Sequence, residues 1–320
     1  MPTYQVRVDA VREEAQGVLS LRLVSADAAA PLPCADSGAH VDLLLGDDLR
    51  RSYSLYRPSN DGAYHLAVQL EEAGRGGSRF VHERLKKGDL LAISSPKNHF
   101  ELRPDHGAVA TVLVAGGIGI TPIYAMLQTL REQRKRVRLL YCARSERRAA
   151  FVSALRELRD ERTQIDFLFE DVSGRPDLAS WLAQFEPDAH YYCCGPAGMI
   201  DAFEAACGQL GCRHCFVERF AAGNAAPAPV AAQSYEVELA ASGRTLTVPA
   251  GTALLDVLLA HGVDIAYSCR EGACGSCETR VLAGDIDHRD CLLSNDEKAA
   301  ADTMFVCVSG CRSGKLVLDL

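Results

Sequence analysis

The chain has 320 residues, more than one domain usually holds, so two or three domains are expected. A hydrophobic fraction of 48% and a charged fraction of 24% exclude extensive disorder. The net charge of −8 argues against nucleic acid as a partner, and no apolar run is long enough to span a membrane. Because the first ten residues do not resemble a signal peptide, we expect a cytoplasmic protein.

Residues 1–103 contain short alternating runs that are separated by Gly and Pro. This pattern predicts an antiparallel β-barrel with strands near 4–13, 17–26, 40–46, 51–56, 64–70 and 89–96. From 104 to 222 the pattern changes to apolar strands at 110–117, 137–144, 165–171 and 190–195, with helices at 122–133, 149–160 and 177–185. Strands that alternate with helices predict an α/β domain with a parallel sheet.

An Ala/Pro-rich, uncharged stretch at 221–233 predicts an extended spacer, and we take 223–233 as the linker to a C-terminal domain at 234–320. Thirteen cysteines in a reducing compartment favour metal chemistry for some of them over a disulfide framework. Six cysteines lie between residues 269 and 311, so the metal is sought there. The spacing of the others is not by itself typical of a metal site; these include Cys34, Cys142, Cys207, Cys212 and Cys215.

The C-terminal cysteines have the spacing of a plant-type iron–sulfur protein. The C-x4-C-x2-C…C pattern predicts a [2Fe–2S] cluster whose ligands are Cys269, Cys274, Cys277 and Cys307. Gly272 and Gly275 would let the loop fold around the cluster and direct amides at its sulfurs. The alternatives are a chance spacing of buried cysteines or a zinc site, although zinc sites more often show two CxxC pairs. Cys291 and Cys311 fall outside the pattern and are assigned to packing.

Two motifs of the α/β region suggest a dinucleotide site. LVAGGIGITP at 113–122 places a Gly-rich turn between a strand and a helix, where backbone amides can approach a pyrophosphate. The turn lacks the G-x-G-x-x-G spacing, so an ordinary strand–helix turn is the alternative. The sequence CCGP at 193–196 ends a second predicted parallel strand, where open α/β sheets bind ligands.

Two motifs of the barrel region suit a flavin. RSYSL at 51–55 puts a cation, hydroxyls and an aromatic ring on one strand, although an exposed edge strand would look similar. GRGGS at 74–78 precedes a helix and predicts a second amide-lined anion site. A phosphate and an aromatic ring system would fit these two features together.

The motifs RSYSL, GRGGS, GGIGITP, CCGP, FVERF and C-x4-C-x2-C…C occur in the order typical of the phthalate dioxygenase reductase family. The resemblance covers essentially the whole chain. It implies an FMN-binding β-barrel, an NAD-binding α/β domain and a C-terminal α+β ferredoxin domain of the β-grasp type.

The resemblance also implies residue roles. It assigns the FMN phosphate to Arg51, Ser52, Gly76, Gly77 and Ser78. It assigns the flavin ring to Tyr53, Ser54, Ala67, Val68, Gln69, Thr121 and Phe220. It assigns NADH to Gly116, Gly117, Arg144, Asp171, Cys194, Gly195 and Pro196. Of these, Ser54, Thr121, Cys194 and Phe220 would position the nicotinamide and flavin, and no acid–base residue is expected to be essential.

The implied function is an NADH-dependent reductase that passes electrons through FMN and a [2Fe–2S] cluster to a Rieske-type oxygenase acting on an aromatic or related compound. The complex would be transient, the protein a monomer, and neither nucleic acid nor a membrane a partner. One alternative is an FAD-dependent reductase of another monooxygenase system. Another is a ferredoxin-like electron carrier whose front domains are regulatory. Asp171 favours NADH over NADPH, whereas Arg144, Arg147 and Arg148 act in the opposite direction.

Overall fold

The computed structural model describes residues 3–46, 49–104, 110–220 and 233–320. The chain divides into two units, Met1–Glu218 and Arg219–Leu320. Residues 221–232 of the predicted spacer, which include 223–232 of the predicted linker, lie outside the described residues. None of the described helices combines the length and the apolar composition that crossing a bilayer requires.

The first sheet is built by the N-terminal hundred residues. Its strands are β1 (Thr3–Ala15), β2 (Val18–Ser25), β3 (His40–Leu44), β4 (Arg50–Ser54), β5 (Ala63–Gln69) and β6 (Leu90–Ser94). They pair antiparallel in the order β4-β3-β6-β1-β2-β5, and helix α1 (Gly77–Arg84) connects β5 to β6. The alternating pattern of β1 and β2 places Val6, Val8, Leu21 and Leu23 in one core.

This sheet differs from the expected closed barrel. Its edge strands β4 and β5 meet only at the Leu55–Leu66 bridge, next to a backbone hydrogen bond from Tyr56 to His65. Among the described residues no strand pairing continues from Leu55 toward the end of β5. The sheet is therefore open, and β4 borders the gap.

The second sheet confirms the predicted parallel architecture. Its strands are β7 (Thr111–Gly116), β8 (Val137–Ala143), β9 (Thr163–Phe169), β10 (His190–Cys194) and β11 (His214–Glu218). They run parallel in the order β11-β10-β7-β8-β9. The chain moves outward from β7 to β9 and then returns to the other side of β7. The β7–β10 pair is thus the switch point, where the carboxyl ends of the strands open a crevice.

The helices of this half are α2 (Ile120–Glu132), α3 (Val152–Glu157), α4 (Glu170–Ser173), α5 (Leu178–Leu182) and α6 (Ala197–Leu210), with 3₁₀ turns at Gly117–Gly119 and Glu146–Arg148. Helix α3 is shorter than the 149–160 expected from the sequence. Phe151 immediately before it has a left-handed φ of 63° and packs against Tyr56 and Tyr124. Tertiary burial of this ring outweighs the local helix preference.

The antiparallel and parallel sheets share one hydrophobic core. Val18, Tyr56 and Ala67 from the first sheet are buried in the same cluster as Ile123 and Leu127 of α2. The Gln128 side chain donates to the Tyr56 carbonyl at 2.9 Å. This packing fixes the two sheets relative to each other within the first unit.

The second unit is a mixed sheet with one main helix. Its strands are β12 (Tyr235–Leu239), β13 (Arg244–Val248), β14 (Glu278–Ala283), β15 (Ile286–Asp287), β16 (Thr303–Phe305), β17 (Gly310–Cys311) and β18 (Lys315–Leu318), and its helices are α7 (Leu254–Ala260) and α8 (Asn295–Ala300). The main order is β13-β12-β18-β14-β16, with β12 and β18 parallel, while β15 and β17 form a separate pair. The apolar side of α7 packs into the core of this sheet.

Candidate functional site

Two glycine-containing turns meet at the crevice of the parallel sheet. Gly119 lies against the β10 end so closely that a Cβ there would be 2.3 Å from the Cys194 carbonyl oxygen. A Cβ on Gly116 would be 2.7 Å from Pro196 Cδ, and one on Gly195 would be 3.1 Å from the Gly116 Cα. Only glycine permits this approach, so the GGIGITP and CCGP motifs form one backbone-lined surface.

Helices α2 and α6 both begin at this surface. Neither has an acidic residue in its first turn. The positive ends of their dipoles therefore favour an anion here. Thr121 is buried in the first turn of α2, and its hydroxyl donates to the Ile118 carbonyl at 3.0 Å.

The ends of β8 and β9 lie next to each other. The Asp171 backbone N–H donates to the Arg144 carbonyl at 3.1 Å, and both residues are exposed. Asp171 lies in the short helix α4, whereas the sequence pattern placed it at the end of a strand. The structure thus brings these two predicted adenosine contacts together.

A three-residue polar group joins the two sheets. The Ser54 hydroxyl at the end of β4 donates to Glu218 Oε2 at 3.5 Å, and the Cys194 thiol lies 3.9 Å from the same oxygen. Ser54 is 7% exposed and Cys194 is fully buried. Glu218 is the last residue of β11 and pairs with Cys194 across the parallel ladder.

The protonation of this group follows from its burial. Desolvation raises the pKa of Glu218 to about 8, against the smaller opposing effect of hydrogen bonds from Ser54 and Cys194. Desolvation first and the Glu218 charge second raise the pKa of the Cys194 thiol well above its usual range. At neutral pH the group is therefore uncharged, and Cys194 is not a thiolate nucleophile.

Arg51 on β4 lies over the start of α1. A Cβ on Gly77 would be 2.4 Å from Arg51 Cγ, and the guanidinium donates to the carbonyls of Arg50 and Arg75 at 2.6 Å each. Gly76, the residue before the helix, has a left-handed φ of 85°, and the first turn carries no acidic residue. A fixed cation beside a helix N-terminus is suited to phosphate.

Ser52 and Tyr53 have different surroundings from Arg51. The Ser52 hydroxyl donates to Asp42 Oδ1 at 2.5 Å, and Asp42 forms a buried ion pair with Lys97 at 2.9 Å. The Ser52 hydroxyl is therefore held by a side chain of the neighbouring strand β3. Burial raises the pKa of Tyr53 to about 12, so this ring stays neutral beside Arg51.

The predicted edge residues of β5 border the gap in the open sheet. Ala67 and Val68 are buried, and the Gln69 amide donates to Glu71 Oε1 at 2.8 Å. The hydroxyl of Ser78 accepts from the Glu71 N–H at 3.0 Å, which ties the GRGGS turn to the end of β5. Gln69 Oε1 also lies 3.9 Å from where a Gly117 Cβ would be. Phe220, two residues past β11, is 42% exposed.

In the second unit, the four predicted ligand cysteines come together in the 269–277 loop and the segment after β16. All four are buried. Cys307 interacts through its thiol with both Cys269 and Cys277, and Cys269 with Cys274. The hydrogen bond from Cys269 first and desolvation second raise the pKa of Cys274. Such crowding of thiols is relieved when metal ions replace the shared protons.

Backbone amides of the same loop point at the sulfurs. Glu271 and Ala273 donate to Cys269 Sγ at 3.3 and 3.4 Å, and the Cys269 N–H donates to Cys274 Sγ at 3.4 Å. Gly272 has a φ of 66°, and a Cβ there would be 2.6 Å from the Val308 side chain. This loop is thus preformed to stabilise negative sulfurs, and the donor set fits a [2Fe–2S] cluster.

Cys291 and Cys311 take no part in the four-thiol group. The Cys291 thiol donates to the Gly272 carbonyl at 3.4 Å and packs behind the loop, whereas Cys311 on β17 approaches the Ser313 hydroxyl at 3.6 Å. The packing role expected for both is consistent with these contacts.

The sequence reasoning did not single out Glu218. Its signal was present, because FVERF contains an acidic residue at the carboxyl end of the last parallel strand. Asp42 and Lys97 were missed because they are far apart in sequence and are paired only by the folded sheet.

Comparison with known proteins agrees with this geometry. Residues 113–205 match the oxidoreductase NAD-binding domain family, and residues 237–312 match the 2Fe-2S iron-sulfur cluster binding domain family. The putative toluene-4-sulfonate monooxygenase system reductase subunit TsaB2 of Comamonas testosteroni is 43% identical, over 98% of each chain. The NAD-binding and cluster-binding assignments thus apply to the chain itself.

Two solved structures cover nearly all of the chain. A type IV self-sufficient cytochrome P450 monooxygenase is 34% identical with a TM-score of 0.89; the match covers 99% of this chain but only 41% of that one. Phthalate dioxygenase reductase, described as a modular structure for electron transfer from pyridine nucleotides to [2Fe–2S], is 33% identical with a TM-score of 0.69, over 99% and 98% of the two chains. This chain therefore belongs to the phthalate dioxygenase reductase-like family of oxygenase reductase components.

Proposed function

We propose that the protein is the NADH-dependent reductase component of a Rieske-type oxygenase system that acts on an aromatic or related compound. The observation that carries the proposal is the presence, in one chain, of an amide-lined dinucleotide crevice and a preformed four-thiol loop. The toluene-4-sulfonate relative, itself a reductase subunit, supports an aromatic substrate for the system.

When bound, FMN and the [2Fe–2S] cluster convert the hydride of NADH into single electrons for the oxygenase. The protein supplies binding, orientation and electrostatics. We assign the NADH pyrophosphate to the surface formed by Gly116, Gly117, Gly195 and Pro196, because it is lined by amides and two helix N-termini.

The adenosine half of NADH is assigned to Arg144 and Asp171. Their backbones are hydrogen-bonded at the ends of β8 and β9, on the side of β7 away from β10. The exposed Asp171 carboxylate can accept from a ribose hydroxyl and would repel a 2′-phosphate.

We assign the FMN phosphate to Arg51, Gly76 and Gly77 at the start of α1, with Ser78 holding the turn against β5. Ser52 is assigned to the same phosphate, and its hydroxyl is hydrogen-bonded to Asp42. The flavin ring is assigned to the gap between β4 and β5, where Tyr53, Ser54, Ala67, Val68 and Gln69 line its edges. Thr121 would approach from α2.

Ser54, Cys194 and Glu218 would position the nicotinamide against the flavin. All three are neutral at pH 7, so they place hydrogen-bond donors at the junction of the sheets. The Glu218 carboxyl holds a proton there, a role that was not expected from the sequence.

We propose domain boundaries at 1–103, 104–222 and 234–320, with 223–233 as the linker. The first two domains would act as one body because they share a core. The mixed sheet with α7 suits a β-grasp ferredoxin domain. We further propose a monomer that meets its oxygenase transiently in the cytoplasm, where reducing conditions preserve the thiols.

The test is anaerobic addition of NADH to the purified full-length protein. Visible absorption of both the flavin and the cluster should fall, and acid release of the flavin followed by chromatography should yield FMN. Cys307→Ser should still reduce ferricyanide with NADH but fail to reduce the oxygenase, with Cys311→Ser as the matched control.

Two outcomes would contradict the proposal. Release of FAD would favour the alternative flavin reductase, and no bleaching with either nicotinamide cofactor would favour a ferredoxin-like carrier. Oxygenase reduction by the Cys307→Ser protein at the wild-type rate would exclude the cluster as the exit for electrons.

A further inference from the structure

A second group of cysteines lies in the first unit, away from the four-thiol loop. Cys207, Cys212 and Cys215 have the same C-x4-C-x2-C spacing as the loop, although the sequence analysis did not treat them as a metal motif. Their three Sγ atoms all lie within 4.8 Å of one another. Sequence spacing and spatial convergence therefore agree.

The connection from α6 to β11 brings these thiols together. Cys207 is in the last turn of α6, and the helix ends at Gly211, whose left-handed φ of 69° reverses the chain. The Cys212 N–H donates back to the Cys207 carbonyl at 3.0 Å. Cys215 then enters as the second residue of β11. The arrangement is thus fixed by regular backbone structure at both ends.

We propose that Cys207, Cys212 and Cys215 bind one thiophilic metal ion of the Cu(I) or Zn(II) class. Metal–sulfur bonds of about 2.3 Å place thiolates about 4 Å apart, which the present separations permit with little movement. Soft thiolates select these metals over Mg²⁺ or Ca²⁺. On binding, the thiols release their protons to water as the metal–sulfur bonds form.

The surroundings suit a bound cation. Cys207 is 2% exposed, whereas Cys212 and Cys215 are half-buried, so an ion can enter from solvent. The Glu204 carboxylate adds negative charge near Cys215. The neighbouring Tyr191 hydroxyl is fixed on the Glu186 carbonyl at 2.8 Å.

The number of ligands distinguishes this site from the predicted cluster. Within the part of the chain that the structure describes, the group holds three thiols and no fourth Cys, His, Asp or Glu. Three thiolates complete a trigonal Cu(I) shell, whereas Zn(II) would take a fourth ligand from solvent. A [2Fe–2S] cluster needs four ligands and is not expected here.

The site is also separate from the dinucleotide crevice. Cys215 precedes Glu218 by three residues on β11, which corresponds to about 10 Å along the strand. The proposal is therefore independent of the nicotinamide chemistry, and changes at Cys212 or Cys215 should leave NADH–ferricyanide activity intact.

The test uses reduced, anaerobic, full-length protein with its flavin and cluster bound. Zn(II) and Cu(I) are offered separately in the presence of a chromophoric chelator, and metal per chain is measured by elemental analysis after desalting. The wild type should retain one added ion. Cys212→Ser and Cys215→Ser should bind it more than about tenfold more weakly, whereas Cys34→Ser, which removes an exposed cysteine, should match the wild type.

Unchanged visible absorption and ferricyanide activity would show that the variants are folded and that the metal did not displace the cluster. Retention of Cu(I) alone would assign trigonal coordination, and retention of Zn(II) would assign a site completed by solvent. Equal metal uptake by all four proteins, or none by the reduced wild type, would overturn the proposal.

Discussion

The protonated state of Glu218 can be tested by its effect on stability. A carboxyl whose pKa rises from 4.5 to about 8 on folding favours the folded state fully below pH 4.5, and this contribution is lost as pH rises toward 8. The full loss would be about 3 kcal/mol at pH 7. Between pH 5 and pH 7 alone, the loss would be about 2–3 kcal/mol.

Glu218→Gln removes the titrating proton and keeps the shape and the hydrogen-bonding oxygen. Its stability relative to the wild type should therefore increase between pH 5 and pH 7. For a unit of this size, about 2–3 kcal/mol corresponds to roughly 5–10 °C in Tm.

The assay is thermal unfolding across this pH range. It is monitored by the rise in fluorescence when the flavin is released from the unfolding protein. Glu157→Gln is the matched control, because Glu157 is exposed in the same unit. If the Tm difference between Glu218→Gln and the wild type stayed constant from pH 5 to pH 7, the argument for a neutral Glu218 would be refuted.

Arg51→Ala should weaken flavin binding by about 1.5–3 kcal/mol, which is roughly a 10- to 150-fold increase in Kd measured by fluorescence titration. An unchanged Kd would show that Arg51 does not bind the flavin phosphate. Gly119→Ala should destabilise the first unit by about 1–3 kcal/mol and raise the KM for NADH, because its Cβ would lie 2.3 Å from the Cys194 carbonyl; normal kinetics and Tm would exclude that contact. Cys307→Ser should lose the visible absorption of the cluster, whereas Cys311→Ser should retain it. The opposite result would make Cys311 the fourth cluster ligand. NADH should give a higher kcat/KM than NADPH, because the exposed Asp171 carboxylate after β9 would repel a 2′-phosphate. Equal kcat/KM values would show that Asp171 does not discriminate between the two cofactors.

Local patterns in the sequence were enough to predict the architecture and the cluster ligands. Period-two alternation and helix-length apolar segments depend on neighbouring residues, so they predicted the antiparallel and parallel sheets. The four proposed cluster ligands follow from the C-x4-C-x2-C spacing of the loop together with the fourth cysteine at 307. Glycine turns at strand ends likewise indicated the crevice, since their function depends on backbone rather than on distant partners.

Other features depended on segments that are distant in sequence. Ser54 and Glu218 are 164 residues apart and meet only because the two sheets share a core, and that burial is what raises the pKa of Glu218. The shortened helix α3 reflects burial of Phe151, which outweighs local preference. The gap between β4 and β5 depends on how far two edge strands pair. Spacing, turns and periodicity are properties of the chain alone, whereas desolvation and long-range pairing exist only after the core has formed.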